Sequence, residues 1–269
     1  MEPWTQKRIL ILGMTYPSYS QKYVENVCTG GIEEGTGKMV RIHPVPVRYL
    51  EPGHRFKKFQ WISAKVMKHS ADPRPESLRV EPNSIEVQEE IPAHHNEERR
   101  RLIEASPHIS KSVEDLKDRW ERDRTSLGAI LPKEILDVKV VPRSAADRQE
   151  WLTKERELLN QGTLPFEQPP KPLDFPEAEF RVTWRCNDQR CSTHEMKMLQ
   201  WGIHELHRNL KKKGDPHCDD KVKEKMWSEL DLKKRDIFLF LGNFRGTMWN
   251  FGLMDSFSPG KRRQLAMPW

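Results

Sequence analysis

Two cysteines and a histidine lie close together in the last third of the chain, in the pattern Cys186-x4-Cys191-x2-His194. Thiolates and an imidazole are preferred zinc ligands, and a closed structural site needs four ligands. Candidates for the fourth ligand are Cys218 and, as alternatives, His207 or His217. The sequence therefore predicts a structural zinc site, although a reduced cysteine pair near a helix start would have the same spacing.

Basic and aromatic side chains are interleaved between residues 41 and 61. Cations contact phosphates and rings stack on bases, so such a cluster on a small β-barrel is typical of proteins that bind single-stranded nucleic acid. The predicted nucleic-acid contacts are Arg41, Arg48, Tyr49, Arg55, Phe56, Lys57, Lys58 and Trp61. A second interpretation stays open, in which Trp61 faces the core and the lysines form a solvated rim.

The segment Asp-Pro-Arg-Pro-Glu-Ser at residues 72–77 places two carboxylates in a rigid polar turn. Asp72 and Glu76 are therefore candidate catalytic residues, because carboxylates at a fixed separation can hold Mg²⁺ in a hydrolase. A self-satisfied Asx-type loop has the same composition. A hydrolase could also use a second set of residues, namely His194, Glu195, His204 and His207. The sequence contains no Walker A loop, no G-x-G-x-x-G fingerprint, no G-x-S-x-G elbow and no kinase motif set.

Charge and composition limit the class of protein. Hydrophobic residues make up 36% and charged residues 32% of the 269-residue chain, which is apolar-poor and charge-rich for a globular protein. Nine tryptophans exclude a fully disordered chain. The net charge is +6, and the first 70 residues hold all of it, with eleven Lys and Arg against five Glu. This distribution favours one basic binding module joined to a neutral remainder.

The elements that must position these residues follow from hydrophobic periodicity, and they predict an α+β fold. Short alternating runs with Gly and Pro turns at residues 1–93 predict a basic small β-barrel module of the OB type. For residues 94–164, the pattern predicts a charged helical region with one strand. A Pro-rich linker is predicted at 165–177. For residues 178–269, the pattern predicts a β/α module with the possible Cys/His metal site.

Two periodic patterns are specific enough to assign faces. In the strand predicted around residues 59–68, Ile62, Ala64 and Val66 share one face and Trp61 lies on the other. Four leucines and isoleucines spaced at helical intervals predict an amphipathic helix after His194: Leu199, Ile203, Leu206 and Leu210. Ser112 and Asp115 predict the capped start of a helix that runs to Arg124.

Two stretches of the N-terminal part, Cys28-Thr-Gly-Gly-Ile32 and Gly37-Lys-Met-Val-Arg41-Ile-His-Pro-Val-Pro46, resemble a motif of a poorly characterised prokaryotic group. The resemblance extends to Phe56-Lys-Lys-Phe59, to the segment 72–77, to Ser126-Leu-Gly128 and to the Cys186 cluster. Members of this group look like dual OB-type barrel proteins and are often associated with conflict and defence loci. The resemblance implies nucleic-acid or nucleotide binding. This sequence has Val40 where the group commonly has Trp, so position 40 has no aromatic ring on which a base could stack.

The leading functional prediction is binding of single-stranded or structured DNA or RNA, in a prokaryotic antiviral or anti-plasmid defence system. Arg41, Arg55, Lys57 and Lys58 would contact phosphates. A metal-dependent nuclease or hydrolase is the first alternative, and an adaptor that docks a protein partner through the helices at 96–160 is another. Structural zinc is the predicted cofactor. No apolar segment of membrane length and no targeting segment is visible, so we expect a cytoplasmic protein.

Overall fold

A computed structural model describes residues 3–20, 24–69, 72–160, 172–244 and 247–262. This part of the chain is a mixed α+β structure with an N-terminal closed barrel, helices in the middle and a C-terminal sheet with helices, which confirms the predicted fold class. Most of the predicted linker at 165–177 lies outside the described residues. No described helix is long and apolar enough to cross a membrane.

Eight strands form the N-terminal module: β1 Thr5–Met14, β2 Ser18–Ser20, β3 Val24–Asn26, β4 Thr29–Glu33, β5 Met39–Ile42, β6 Gln60–Lys68, β7 Ser77–Val80 and β8 Glu86–Glu90. Five of them close a barrel in the order β1-β4-β5-β7-β6, and β6 pairs back with β1. β5 and β7 pair in parallel, whereas their neighbours pair antiparallel. This five-stranded barrel resembles the OB fold, as predicted.

The two faces of β6 enter two different cores, because successive side chains of a strand point in opposite directions. Ile62, Ala64 and Val66 are fully buried inside the barrel, as the alternation predicts. Trp61 points outward and packs in another core, together with the neighbouring Phe59. The barrel is therefore apolar on the inside and, along this wall, on the outside too.

Seven strands form the C-terminal sheet: β9 Ile109–Ser110, β10 Leu127–Ile130, β11 Glu134–Pro142, β12 Ala178–Arg185, β13 His194–Met198, β14 Phe238–Phe244 and β15 Thr247–Phe257. Their order is β11-β12-β13-β15-β14-β10-β9. β14 and β15 form an antiparallel hairpin. β9, β10 and β11 come from the middle of the chain, so this middle region shares one sheet with the C-terminal region.

Five helices accompany the sheet: α1 Asn96–Glu104, α2 Val113–Asp123, α3 Ala145–Asn160, α4 Trp201–Lys212 and α5 Cys218–Glu229. Ser112 caps α2 as predicted, since its hydroxyl accepts a hydrogen bond from the Asp115 N–H at 2.9 Å. In α4, Ile203 is buried and Leu206 and Leu210 pack against the same core. The sequence patterns thus predicted α2 and α4. They missed β13, which lies between the two cysteines and α4.

A shared apolar core joins the barrel to the C-terminal sheet. Leu10 and Trp61 contribute from the barrel, and Phe240 and Met254 contribute from β14 and β15. Trp61 is only 8% exposed, and the Arg8 guanidinium covers its ring, 4.4 Å from the ring centroid. The second interpretation of Trp61, as a core residue, is therefore the one that the structure supports.

We expect Trp61→Ala to lower the free energy of unfolding by about 3–5 kcal/mol, because it removes a large side chain from a packed core. Chemical denaturation of both proteins measures this difference. The control is Trp4→Ala, since Trp4 is 43% exposed and should contribute little. Equal stabilities of the Trp61→Ala variant and the wild type would contradict a core role for Trp61.

Candidate ligand cavity and metal-ligand cluster

A cavity of about 660 Å³ lies between the barrel and the C-terminal module, and we name it the inter-module cavity. Its barrel wall includes Tyr16 and Tyr19 from the β1–β4 connection, Arg41 and His43 at the end of β5, and Arg74 from the β6–β7 loop. The opposite wall includes Arg143, Trp151, Lys197, His204 and Phe244. The volume is in the range of small-molecule sites.

Cations outnumber carboxylates in the lining: the cations are Arg41, Arg74, Arg143, Lys154 and Lys197, and the carboxylates are Asp72 and Glu179. Arg74, Lys154 and Lys197 each form an ion pair with a carboxylate. Arg143 has no such pair among the described residues, and its buried Nε lacks a hydrogen-bond partner. Its guanidinium lies 5.4 Å from the Phe175 ring centroid. Arg143 is thus a cation available to an anionic ligand.

Arg41 is buried, with 3% of its surface exposed, at the point where the barrel meets the C-terminal module. Its Nη1 donates to the hydroxyls of Ser77 and Ser126, both at 3.2 Å. Glu76 accepts from the Ser126 N–H at 2.7 Å and from its hydroxyl at 2.8 Å. Burial lowers the pKa of Arg41, and nearby charges including Glu76 oppose that effect. One serine therefore contacts both the buried guanidinium and a buried carboxylate.

Both candidate catalytic carboxylates of the segment 72–77 are engaged by protein groups. Asp72 accepts from Arg74 Nε at 2.8 Å and from Arg74 Nη2 at 2.6 Å, and Arg74 Nη1 donates to the Asn243 carbonyl at 2.9 Å. Burial raises the pKa of Asp72, but the Arg74 hydrogen bonds prevail and hold it well below its usual range. The pKa of Glu76 is likewise lowered by His108 and Ser126 against the effect of burial. These contacts give the segment a structural role and leave neither carboxylate free for Mg²⁺.

Aromatic rings line the same cavity, and no local sequence pattern predicts them as a group, because they come from distant segments. Tyr16 stacks on His204, with ring centroids 4.9 Å apart, and burial raises the pKa of Tyr16 to about 12. Tyr19 contacts Trp151 at 4.9 Å between centroids. Phe244, at the end of β14, is 40% exposed. The lining therefore combines cations with π-faces, although not at the positions that the sequence predicted.

The predicted stacking residues do not form a common surface. Phe56 is 4% exposed inside the barrel, and Trp61 belongs to the core between the modules. Tyr49 is half-buried near the start of the 3₁₀ turn at Pro52–His54. Burial of the first two rings leaves them no face for a base, which corrects the prediction for Phe56 and Trp61.

The predicted phosphate contacts are also dispersed, and only Arg41 lines the inter-module cavity. Lys58 bonds to the buried Asp255 at 2.7 Å, and Arg48 pairs with Glu25 at 3.1 Å. Arg55 donates to the Leu50 carbonyl at 2.9 Å, and Lys57 is exposed. Clustering in sequence did not produce clustering in space, because the chain passes through turns at residues 47–49, 52–54 and 58–59 between these side chains.

Four potential metal ligands converge where the β12–β13 turn meets the start of α2. His194 Nε2 lies 3.1 Å from Cys186 Sγ, 3.3 Å from Cys191 Sγ and 3.5 Å from a Glu114 oxygen. Cys186 Sγ lies 3.2 Å from the other Glu114 oxygen. Burial raises the pKa of the Cys186 thiol and lowers that of His194. These four residues could hold a metal ion.

Cys218 is not the fourth member of this cluster, and neither alternative replaces it. Cys218 begins α5, where its Sγ lies 3.5 Å from the His207 carbonyl oxygen. His207 contacts Asp219 at 3.0 Å, and the exposed His217 lies beside Asp220. Glu114 takes the fourth position instead. Because it lies 72 residues before Cys186, no local spacing could reveal it.

The second hydrolase set does not converge either. His194 belongs to the metal-ligand cluster, whereas Glu195 points to Lys139 and Arg181 on the outer face. His204 packs between Phe180 and Tyr16, and His207 bonds to Asp219. These four residues therefore form no common hydrolytic site.

Two family models match the chain. The first is described as a domain of unknown function (DUF8758) and matches residues 5–105. The second is described as a domain of unknown function (DUF8757) and matches residues 109–267, which is more than half of the chain. No curated protein matches the chain. The gap between the matches falls between α1 and β9, so the barrel and the C-terminal sheet correspond to separate families.

Burial lowers the pKa of His43 and of His204 to about 4. An unfolded chain has histidine pKa values of about 6.5, so it binds more protons than the folded chain between these limits. We therefore expect the free energy of unfolding to fall as the pH drops from about 6.5 to 4. In His204→Gln this pH dependence should be weaker by up to about 1.4 kcal/mol per pH unit. Denaturation of the wild type and of His204→Gln at several pH values measures the difference, and equal slopes for the two proteins would contradict it.

Proposed function

We propose that this chain, which belongs to the family described as domain of unknown function DUF8757, binds single-stranded or structured nucleic acid in the inter-module cavity. The observation that carries the proposal is the lining, where five cations outnumber two carboxylates and five Tyr, Trp and Phe side chains accompany them: Tyr16, Tyr19, Trp151, Phe180 and Phe244. Cations hold phosphates while rings stack on bases of any sequence.

The position of the cavity on the barrel supports the same function. OB folds bind oligonucleotides with the face of their second and third strands and with the loops after the first and fourth strands. In this barrel those loops are the β1–β4 and β6–β7 connections, which contribute Tyr16 and Arg74, and the third strand, β5, contributes Arg41. The cavity therefore lies at the end of the barrel where OB folds bind their ligands.

The adaptor and hydrolase alternatives have less support. Arg99, Arg100 and Ile103 of α1 are buried, and so are Leu116 and Trp120 of α2, which limits the surface that these two helices offer to a partner. Most side chains of α3 are exposed, so α3 is the helix that an adaptor function would use. The carboxylates proposed for hydrolysis are engaged by protein groups.

Four free cysteines fit the proposed cytoplasmic location, where thiols stay reduced. A role in prokaryotic defence is part of the proposal only through the resemblance of the sequence motifs.

A fluorescence anisotropy titration with single-stranded DNA and RNA of the same sequence, at two salt concentrations, tests the proposal. We expect binding that weakens as salt rises, because each phosphate contact releases counterions. If neither the DNA nor the RNA probe binds at low salt, the proposal is refuted.

Arg143→Gln should weaken binding of every sequence tested, and should reduce the salt slope by about 1, because it removes one phosphate contact. Arg79→Gln is the matched control, since Arg79 is exposed on β7 and does not line the cavity. If both variants weaken binding equally, the effect comes from net charge and not from the cavity.

We also propose that the metal-ligand cluster holds a structural zinc ion. Thiolates, an imidazole and a carboxylate are all zinc ligands, and bonds of about 2.0–2.3 Å in a tetrahedron place the ligand atoms about 3.3–3.8 Å apart. The distances of 3.1–3.5 Å between these atoms lie close to that range. A zinc ion there would connect α2 to the β12–β13 turn.

We expect one zinc ion per chain by elemental analysis of the purified protein. Cys191→Ser and Glu114→Ala should lose zinc and unfold at a lower temperature than the wild type, because structural zinc contributes folding energy. Cys218→Ser is the control and should retain zinc. Loss of zinc from Cys218→Ser but not from Glu114→Ala would contradict the assigned ligand set.

A further inference from the structure

Phe244 is an exposed aromatic residue at the inter-module cavity. Six large apolar side chains are exposed among the described residues, namely Trp4, Leu131, Leu136, Leu152, Trp227 and Phe244. Of these six, only Phe244 lines the cavity. Its partly exposed ring offers a π-face at a cavity that is also lined by cations, which is the combination that binds single-stranded nucleic acid.

A glycine on the paired strand holds the ring of Phe244 in place. A Cβ atom added at Gly252 would lie 2.5 Å from Cζ and 2.9 Å from Cε2 of Phe244, which is closer than atoms can approach. The end of the ring therefore lies directly against the backbone of β15, in a space that only glycine leaves open. This support orders the ring although much of it remains exposed.

The backbone next to Phe244 is bound to a charged residue of the barrel. The preceding residue, Asn243, is 4% exposed, and its carbonyl accepts from Arg74 Nη1 at 2.9 Å. Arg74 pairs with Asp72 and lines the same cavity. The backbone that carries Phe244 is thus bound to the β6–β7 loop of the barrel.

We propose that Phe244 is the base-stacking residue of the cavity, with Gly252 as the residue that positions its ring. This inference depends on the proposed nucleic-acid binding and names one of its contacts. A base would stack on the exposed part of the ring, while the backbone phosphates would face the cavity cations. Stacking of this kind is tolerant of sequence, since every base has a π-face.

The test is an anisotropy titration of Phe244→Ala, Phe244→Trp and Gly252→Ala with an unstructured single-stranded oligonucleotide that carries 2-aminopurine. We expect Phe244→Ala to weaken binding by about 5- to 150-fold without a change in salt slope, because stacking is not a phosphate contact. Phe244→Trp should bind like the wild type and quench the probe. Gly252→Ala should weaken binding because it displaces the ring.

Trp227→Ala is the matched control, since Trp227 is an exposed aromatic residue of α5 outside the cavity. Thermal denaturation of each variant shows whether it is folded. Wild-type affinity in a folded Phe244→Ala, or a changed salt slope, would overturn the stacking role while leaving nucleic-acid binding intact. Absence of binding by the wild type would instead refute the proposed function itself. If Phe244→Ala does not fold, the Phe244→Trp variant decides: binding without quenching of the 2-aminopurine fluorescence would overturn the stacking role of this position.

Discussion

The relative position of the two modules depends on the compensation of a buried charge. Arg41 on β5 carries a guanidinium that is removed from water, and an unpaired buried charge would cost several kcal/mol. Ser77 and Ser126 accept its hydrogen bonds, and Glu76 supplies the opposite charge through the same Ser126. Because Ser126 immediately precedes β10, one of the groups that compensate Arg41 comes from the C-terminal sheet and the others, Ser77 and Glu76, come from the barrel.

The same constraint determines what the inter-module cavity can do. Asp72 accepts hydrogen bonds from Arg74 and Glu76 accepts them from Ser126, so both carboxylates are engaged by protein groups. The remaining lining has a cationic excess, in which Arg143 lacks a carboxylate partner among the described residues. A cavity of this kind favours an anionic ligand and lacks the free carboxylates of a Mg²⁺ site.

The metal-ligand cluster and the buried charge network are connected by one helix. Glu114 lies in the first turn of α2, beside Cys186 and His194, and Ser126 follows the end of that helix by three residues. A helix is a stiff element, so a ligand that fixes its first turn also restricts the position of its end. The proposed zinc ion would thereby support the position of Ser126, which accepts from Arg41 of the cavity lining.

Most elements and their buried faces follow from local sequence patterns, because periodicity and capping act within a few residues. These patterns predicted the small barrel, the alternation of Ile62 and Trp61, the capped start of α2 and the proximity of Cys186, Cys191 and His194. The contacts between polar residues, in contrast, follow from the tertiary structure. Glu114 joins the cysteines from 72 residues away, and Phe56 is buried although its neighbours are charged. Such contacts depend on how strands pair and modules pack, and that information is not contained in local spacing.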